Sequence, residues 1–282
     1  MKHLLVCTFL LLSIFLGFTQ QIICSPKDRQ AVEDKIIEID GLLESDFGKT
    51  VVAVGKTFMG TPYVAKTLEI GEVESLVVNL QGLDCTTFIE NALAFGLMLK
   101  SEQVRFTDFT ENLESIRYKH GILDGYGSRL HYFTDWIQSN QKKGLLKNIT
   151  AEIGGVGIEK DINFMGTHRD LYPFLQDDAN FKKILATEKE LAQETFCYLP
   201  QDKIRANEHL IQNGDIVALA TSINGLDVTH TGIATREKDG RIHLLHASTG
   251  AMEVEVTKKP LADYLNGVKK NIGILVARPI VD

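Results

Sequence analysis

The spacing of apolar residues along the chain predicts helices first and strands later. Residues 29–45 and 49–59 repeat apolar positions every three to four residues, as amphipathic helices do, and Gly60-Thr61-Pro62 ends the second of them. From residue 213 onward, short apolar runs alternate with Gly, Asn, Asp and Pro, which is typical of strands and turns. Helices followed by a run of antiparallel strands indicate an α+β fold. The strands predicted in this way are 76–79, 214–220, 228–235, 241–247, 252–256 and 271–277.

A further helix, predicted over residues 85–100, carries apolar residues on more than one side, which is typical of a buried core helix. It begins at Cys85, with Asp84 as the candidate N-cap. A cysteine at a helix start meets unpaired backbone N–H groups and the positive end of the helix dipole. Both favour the thiolate, the nucleophilic form, so Cys85 is the candidate nucleophile.

Residues 101–205 show a mostly helical and irregular pattern, with helices predicted at 107–119 and 131–140. No linker sequence separates them from the strands that follow. We therefore expect one catalytic domain over residues 25–282 that contains a helical insertion at about 101–205.

The first 24 residues have the character of a signal peptide. A short polar start precedes an almost unbroken apolar run from Leu4 to Phe18, which is too short to span a bilayer. We expect cleavage between residues 19 and 25 and an exported, periplasmic protein with no transmembrane segment left after cleavage. A lipid anchor on Cys24 is the alternative, and it is disfavoured because Ile23 is larger than the residue such sites require.

Composition narrows the classes of partner. The formal net charge of −7 argues against binding to nucleic acid or to an anionic membrane, both of which need a basic face. Removal of the signal would leave at most three cysteines, Cys24, Cys85 and Cys197, too few for a disulfide framework. Cys197 lies in an apolar context and is expected to be buried and inert.

Two histidines in neighbouring predicted strands complete the candidate chemistry. His230 and His246 flank a polar turn at residues 236–240. A loop of about five residues would place them directly opposite each other, whereas a three-residue loop would place His230 opposite Ser248, with His246 one diagonal step away. In both registers the two imidazoles lie on the same face of the hairpin.

These residues fit nucleophilic amide hydrolysis without a cofactor. Cys85 would attack, His230 would act as its base, and His246 would orient His230. The backbone N–H of Cys85 and the phenol of Tyr63 are the candidate donors to the oxyanion. A zinc site formed by His230, His243 and His246 is the rival, but residues 243 and 246 point to opposite faces of a regular strand.

Four short tracts, taken together, resemble the ordered motifs of the NlpC-type papain-like cell-wall cysteine amidases. They are Gly60-Thr61-Pro62-Tyr63, Asp84-Cys85-Thr86-Thr87-Phe88, His230-Thr231-Gly232-Ile233-Ala234 and His246-Ala247-Ser248. The resemblance implies a papain-like core, with Cys85 as nucleophile, His230 as base, His246 as the orienting residue and Tyr63 near the oxyanion. Cys85 and His230 are 145 residues apart, within the roughly 130–150 found in papain-type enzymes but farther apart than in ordinary members of this family.

The long separation itself resembles a subfamily, the exported N-acetylmuramoyl-L-alanine amidase-like proteins. Tracts 79–85, 129–136 and 225–230 are similar to that subgroup. The resemblance implies cleavage between muramic acid and L-alanine in soluble peptidoglycan fragments, especially 1,6-anhydro-muropeptides. It also favours substrate contact over a purely structural role for part of the second tract. The candidate substrate-binding residues are Asp84, Arg129, His131, Tyr132, Asp135 and Ser248.

Two alternatives remain open at this stage. The enzyme could cut between D-glutamate and diaminopimelate in the stem peptide, as ordinary family members do. The protein could also be a noncatalytic module that binds muropeptides, since a fold does not fix a function.

Overall fold

The computed structural model describes residues 22–280, so most of the predicted signal peptide lies outside the described residues. Ile22–Cys24 form strand β1, which pairs in parallel with β2, Leu76–Val78. A signal boundary after residue 24 would remove β1 from the mature protein. The cleavage site, the lipid anchor on Cys24 and the single-domain boundary all stay predictions.

The long helices largely follow the apolar periodicity of the sequence. Ser25 accepts a hydrogen bond from the N–H of Asp28, and Pro26 occupies the first helical position, so the first helix begins earlier than predicted. It also ends earlier, at Glu38. The α-helices within residues 22–280 are α1 Pro26–Glu38, α2 Phe47–Lys56, α3 Cys85–Lys100, α4 Phe106–Arg117, α5 Phe133–Lys142, α6 Phe164–Thr167, α7 Asp178–Leu191, α8 Ile204–Asn207 and α9 Leu261–Leu265.

The strands predicted after residue 213 are present and form the centre of an antiparallel sheet. The sheet order is β4-β5-β10-β6-β7-β8-β9, and β3 also pairs with β10. The α+β prediction is therefore confirmed. The bounds of these strands are β3 Leu146–Asn148, β4 Val156–Ile158, β5 Phe196–Pro200, β6 Ile216–Thr221, β7 Val228–Arg236, β8 Ile242–Ser248, β9 Glu253–Val256 and β10 Asn271–Pro279.

The insertion at residues 101–205 is less purely helical than its sequence pattern predicts. Strands β3, β4 and β5 come from it, and β3 and β5 both pair with β10. Two of these strands are only three residues long, so they give no periodic signal. The insertion therefore contributes strands to the sheet, whereas the sequence predicted a mostly helical segment.

Helix α3 is buried along most of its length, as its apolar composition predicts. It packs against α2 and α4 on its flanks and against β7 and β8 of the sheet. One polar residue within it, Glu90, accepts a hydrogen bond from Arg117 Nε at 2.7 Å, and Arg117 also donates to the carbonyl oxygen of Val77. This buried ion pair joins α3, α4 and β2. In the part of the chain described, no helix is both long and apolar enough to cross a membrane.

The buried pair predicts a large loss of stability when one partner is removed. Glu90→Gln leaves the Arg117 charge buried and uncompensated, so we expect the free energy of unfolding to fall by about 3–5 kcal/mol. Urea denaturation followed by circular dichroism measures the change. Glu33→Gln is the matched control, because Glu33 pairs with Arg29 at the surface and should change stability by less than about 1 kcal/mol.

Candidate active site

Cys85 lies at the first position of α3, where the predicted helix begins. Asp84 is the N-cap: its Oδ1 accepts hydrogen bonds from the N–H groups of Thr86 and Thr87, and its own N–H donates to the hydroxyl oxygen of Thr87. This capping box fixes the start of the helix and holds the cysteine on a rigid core element. The side chain of Asp84 engages the N–H groups of Thr86 and Thr87 and does not engage that of Cys85.

The structure corrects the expected protonation state of the cysteine. Burial raises the pKa of the Cys85 thiol above its usual 9.0, and the neighbouring Asp84 carboxylate raises it further. The residue that caps the helix therefore places a negative charge beside the sulfur, which opposes the effect of the helix dipole. The thiol is the resting form at neutral pH, where the sequence argument favoured the thiolate.

Thr231 is a site residue that the sequence analysis did not assign. Its hydroxyl and its backbone N–H both act on Cys85 to lower the pKa of the thiol, which opposes part of the effect of burial. Thr231 lies in β7, directly after His230. Gly232 follows, and a Cβ at that position would lie 2.6 Å from Leu244 Cγ, so glycine is required for β7 to pack against β8 here.

His230 and His246 are brought together by the β7–β8 hairpin. Arg236 pairs with Ile242, and the N–H of Glu237 donates to the carbonyl oxygen of Arg241, so three residues form the loop. This is the second of the two registers considered from the sequence, with the histidines on a diagonal. His230 Nε2 and His246 Nδ1 are 2.6 Å apart in a hydrogen bond, and the rings meet edge to face at 84°.

Both histidines are neutral at physiological pH. Burial lowers the pKa of His230 to about 4, while burial and the adjacent His230 lower that of His246 to about 3. The site at rest therefore combines a thiol with two uncharged imidazoles. A thiolate–imidazolium pair is therefore not the resting form of these three residues.

Tyr63, the predicted oxyanion donor, lies near enough to Cys85 for the two to interact electrostatically. Burial raises the pKa of its phenol, and electrostatic interaction with Cys85 and with the Asp84 carboxylate raises it further. Tyr63 pairs through its backbone with Leu83, next to the capping residue. The phenol stays protonated at neutral pH and can act as a hydrogen-bond donor.

Two other candidate residues next to the site have structural partners. Asp84 caps α3, as described above. Ser248 lies at the end of β8, where its hydroxyl oxygen accepts hydrogen bonds from the N–H groups of Gly250 and Ala251 and closes the turn towards β9. Their predicted contact with substrate stays a prediction.

The tract from Arg129 to Asp135 holds the insertion together. Arg129 forms ion pairs with Glu69 and Glu74, and Asp135 forms one with Lys119. In the same tract, His131 Nε2 bonds to the carbonyl oxygen of Tyr126, while the Tyr132 hydroxyl donates to Glu188 and accepts from the N–H of Met165. These polar groups are engaged within the protein, and their role in substrate binding also stays a prediction.

Asp227 connects the insertion to the histidine strand. Its Oδ2 accepts hydrogen bonds from the N–H and the hydroxyl of Thr134 in the first turn of α5, and its Oδ1 accepts from the N–H of Val228. A buried carboxylate at a helix start is stabilised by the unpaired N–H groups there. Asp227 thereby fixes α5 to the start of β7, three residues before His230.

His243 faces away from the histidine pair. Its Nδ1 bonds to the carbonyl oxygen of Thr257 at 2.6 Å, and its Nε2 pairs with Asp239. Both ring nitrogens are engaged on the other face of β8, as strand alternation requires. Within residues 22–280, no group of three or more His, Cys, Asp or Glu side chains is arranged to hold a metal ion.

Comparison with known proteins gives a family and a set of similar structures. A family model described as AmiA-like, N-acetylmuramoyl-L-alanine amidase-like, matches residues 53–274. The chain is similar to the crystal structure of an N-acetylmuramoyl-L-alanine amidase from Bacteroides uniformis ATCC 8492, with 37% sequence identity and a TM-score of 0.79 over 83% of this chain and 99% of that one. A search of curated proteins finds no match.

Two further crystal structures share the fold. A putative xylanase from Bacteroides fragilis has 42% identity and a TM-score of 0.74, over 79% of this chain and 98% of that one. A protein from Legionella pneumophila str. Philadelphia 1 has 21% identity and a TM-score of 0.66, over 90% of this chain and 95% of that one. The second likeness extends to the fold alone.

The neutral resting state of the site predicts the pH dependence of cysteine modification. Because the pKa of Cys85 is raised, its alkylation by iodoacetamide should be slow at pH 6–8 and should accelerate only above the usual thiol pKa of 9.0. Mass spectrometry of the peptide that contains Cys85 separates its modification from that of Cys24 and Cys197. A rate that is already at its plateau below pH 7 would show a preformed thiolate and contradict this prediction.

Proposed function

The chain belongs to the N-acetylmuramoyl-L-alanine amidase-like family, and on that premise we propose that it hydrolyses the amide bond between N-acetylmuramic acid and L-alanine in peptidoglycan fragments. The observation that carries the proposal is the hydrogen bond between His230 on β7 and His246 on β8, together with the effect of Thr231, the residue after His230, on the pKa of the Cys85 thiol. A cysteine-dependent acyl transfer needs an imidazole base beside the thiol, and we infer that His230 is that base. The 1,6-anhydro form of the fragment is the expected substrate.

The proposed mechanism starts from the neutral thiol. Cys85 Sγ attacks the lactyl carbonyl carbon while its proton passes to His230, and a tetrahedral intermediate forms. His230 returns that proton to the nitrogen of L-alanine as the C–N bond breaks, which releases the stem peptide and leaves a thioester on Cys85. A water molecule, deprotonated by His230, then cleaves the thioester to give the lactyl carboxylate and the free thiol.

The oxyanion is stabilised at the start of α3. The backbone N–H of Cys85 is the first donor, because the capping box takes up the N–H groups of the two residues that follow. The phenol of Tyr63 is the second, because its raised pKa keeps the proton in place at neutral pH. Neither donor requires a metal or an organic cofactor.

The remaining parts of the proposal concern the architecture and the location. A helix-mounted cysteine followed in the chain by strand-mounted histidines is the order of papain-like enzymes, so we assign the core to that type. We also propose that the protein is exported and acts in the periplasm, where muropeptides are released. The lipid anchor on Cys24 remains the less favoured variant of this location.

The chemistry of the site disfavours a glycosidase reaction. The relative from Bacteroides fragilis is named a putative xylanase, and glycoside hydrolases generally use two carboxylates on either side of the scissile bond. The carboxylate adjacent to Cys85, Asp84, is engaged as the helix cap, which does not suit a catalytic acid or base. A thiol with two neutral imidazoles suits acyl transfer better.

The nucleophile is tested with defined fragments. Cys85→Ala and His230→Ala should lower the release of free stem peptide from anhydro-disaccharide-tetrapeptide by at least about 10³-fold, since each removes a member of one catalytic unit. Cys197→Ala is the matched control and should keep full activity. Mass spectrometry of the products identifies the cleaved bond.

The same products separate the competing functions. A product cut between D-glutamate and diaminopimelate would replace the amidase assignment by an endopeptidase. Binding without turnover would replace it by a noncatalytic module. Undiminished release by Cys85→Ala would exclude the cysteine mechanism.

On the acid side, the pH at which activity falls should lie well below the pH range in which histidines usually titrate. His230 accepts a proton only while neutral, so kcat/KM should fall as pH drops through about 4, the lowered pKa of His230. In the unfolded chain the pKa of His230 is near 6.5, so the unfolded state binds the proton first and stability also declines as pH falls below that value. Circular dichroism of the same samples must therefore show a folded protein. A midpoint near 6.5 in folded protein would contradict the assignment.

A further inference from the structure

One polar atom of the histidine pair is left without a partner. His246 is 1% exposed, and its Nε2 forms no hydrogen bond within the described residues, while its Nδ1 is bonded to His230. A buried ring nitrogen without a partner costs free energy. It therefore calls for an interaction that the catalytic residues assigned so far do not provide.

Glu255 is the carboxylate placed to supply it. In the β8–β9 pairing Glu255 lies directly opposite His246, so their side chains point to the same face. Glu255 Oε1 and His246 Nε2 are 3.9 Å apart, which is longer than a hydrogen bond. The Glu255 side chain is long and partly exposed, so a rotation of its terminal torsions can shorten the distance, and such contacts often tighten only when substrate is bound.

The surroundings of the pair are mixed in charge. His230 approaches His246 from β7, and the Tyr264 ring approaches from α9 at a steep angle, with the ring centres of His246 and Tyr264 5.7 Å apart. Beyond Glu255 lies a cavity of about 550 Å³. The charged residues that line this cavity besides Glu255 are Lys258, Lys259 and Asp263.

The position of one proton decides whether His230 can act as a base. Its Nε2 faces His246, so Nδ1 is the nitrogen left to take the proton of Cys85. Nδ1 of His230 carries no proton only if the His230 proton is on Nε2. That proton is then donated to Nδ1 of His246, which must itself be unprotonated. His246 must then carry its own proton on Nε2.

We propose that Glu255 is a positioning residue that accepts a hydrogen bond from His246 Nε2–H and thereby keeps the lone pair of His230 directed at Cys85. The inference rests on the proposed cysteine mechanism. In the alternative tautomer, His246 donates from Nδ1 and the proton of His230 moves to Nδ1, the nitrogen that the proposed mechanism needs as the base. The negative carboxylate also stabilises the positive charge that appears on His230 once it has taken the thiol proton. This effect is transmitted through His246.

The tautomer can be measured directly in the wild-type protein. Nitrogen-15 NMR of the full chain with labelled histidines distinguishes the protonated from the unprotonated nitrogen of each ring. The signals that disappear in His246→Gln are those of His246. We expect His246 to carry its proton on Nε2 in the wild type and to shift towards Nδ1 in Glu255→Gln. A wild-type His246 protonated on Nδ1 would overturn the proposal, whether or not any variant folds.

Kinetics give the second test. Glu255→Gln should lower kcat for the anhydro-muropeptide about 10- to 100-fold with little change in KM, and it should slow iodoacetamide modification of Cys85 at pH 7 to a similar extent. Glu253→Gln is the matched control, because Glu253 lies on the same strand opposite Ser248 and is exposed. Unchanged alkylation and an unchanged tautomer in folded Glu255→Gln would overturn the inference.

The two readouts separate this inference from the proposed function. Alkylation and NMR do not depend on the identity of the substrate. If both change as expected while the fragments are not cleaved, the role of Glu255 stands and the amidase assignment fails. If the fragments are cleaved but neither readout responds to Glu255→Gln, the amidase assignment stands and the role of Glu255 fails.

Discussion

The register of the β7–β8 hairpin is the constraint on which the site depends. A three-residue loop sets this register, and it brings His230 and His246 into a 2.6 Å hydrogen bond, with Thr231, which lowers the pKa of Cys85, next in the strand. A slip by one residue would turn every side chain of the strand to the opposite face. Gly232 supports the register, because no larger side chain fits against Leu244 at that point.

A second constraint comes from the residue that starts the nucleophile helix. Asp84 stabilises α3 through its capping box, yet its charge beside the sulfur disfavours the thiolate. Burial acts in the same direction on Cys85, and it lowers the pKa of His230 to about 4. The three effects together favour a neutral resting site.

The sequence predicted those parts of the fold that rest on local signals. Cys85 at a helix start, the strands after residue 213 and the shared face of His230 and His246 follow from periodicity and turn residues close in sequence. Thr231 and Asp227 were not assigned roles, because each acts on a partner more than ninety residues away in sequence. The sequence around a threonine or an aspartate does not indicate such a distant partner. The resting thiol was missed for a related reason, since desolvation depends on what packs around the sulfur.

The strands contributed by residues 101–205 bear on attempts to shorten this protein. Those residues could be taken for a removable accessory. However, β3 and β5 cover one side of β10, and Asp227 caps α5 from the histidine strand. A truncated version would leave the backbone of β10 open along that side, as a template on which a second molecule could add its own strand. A minimal enzyme engineered by deletion would therefore tend to aggregate, and any miniaturisation must begin by designing a replacement edge.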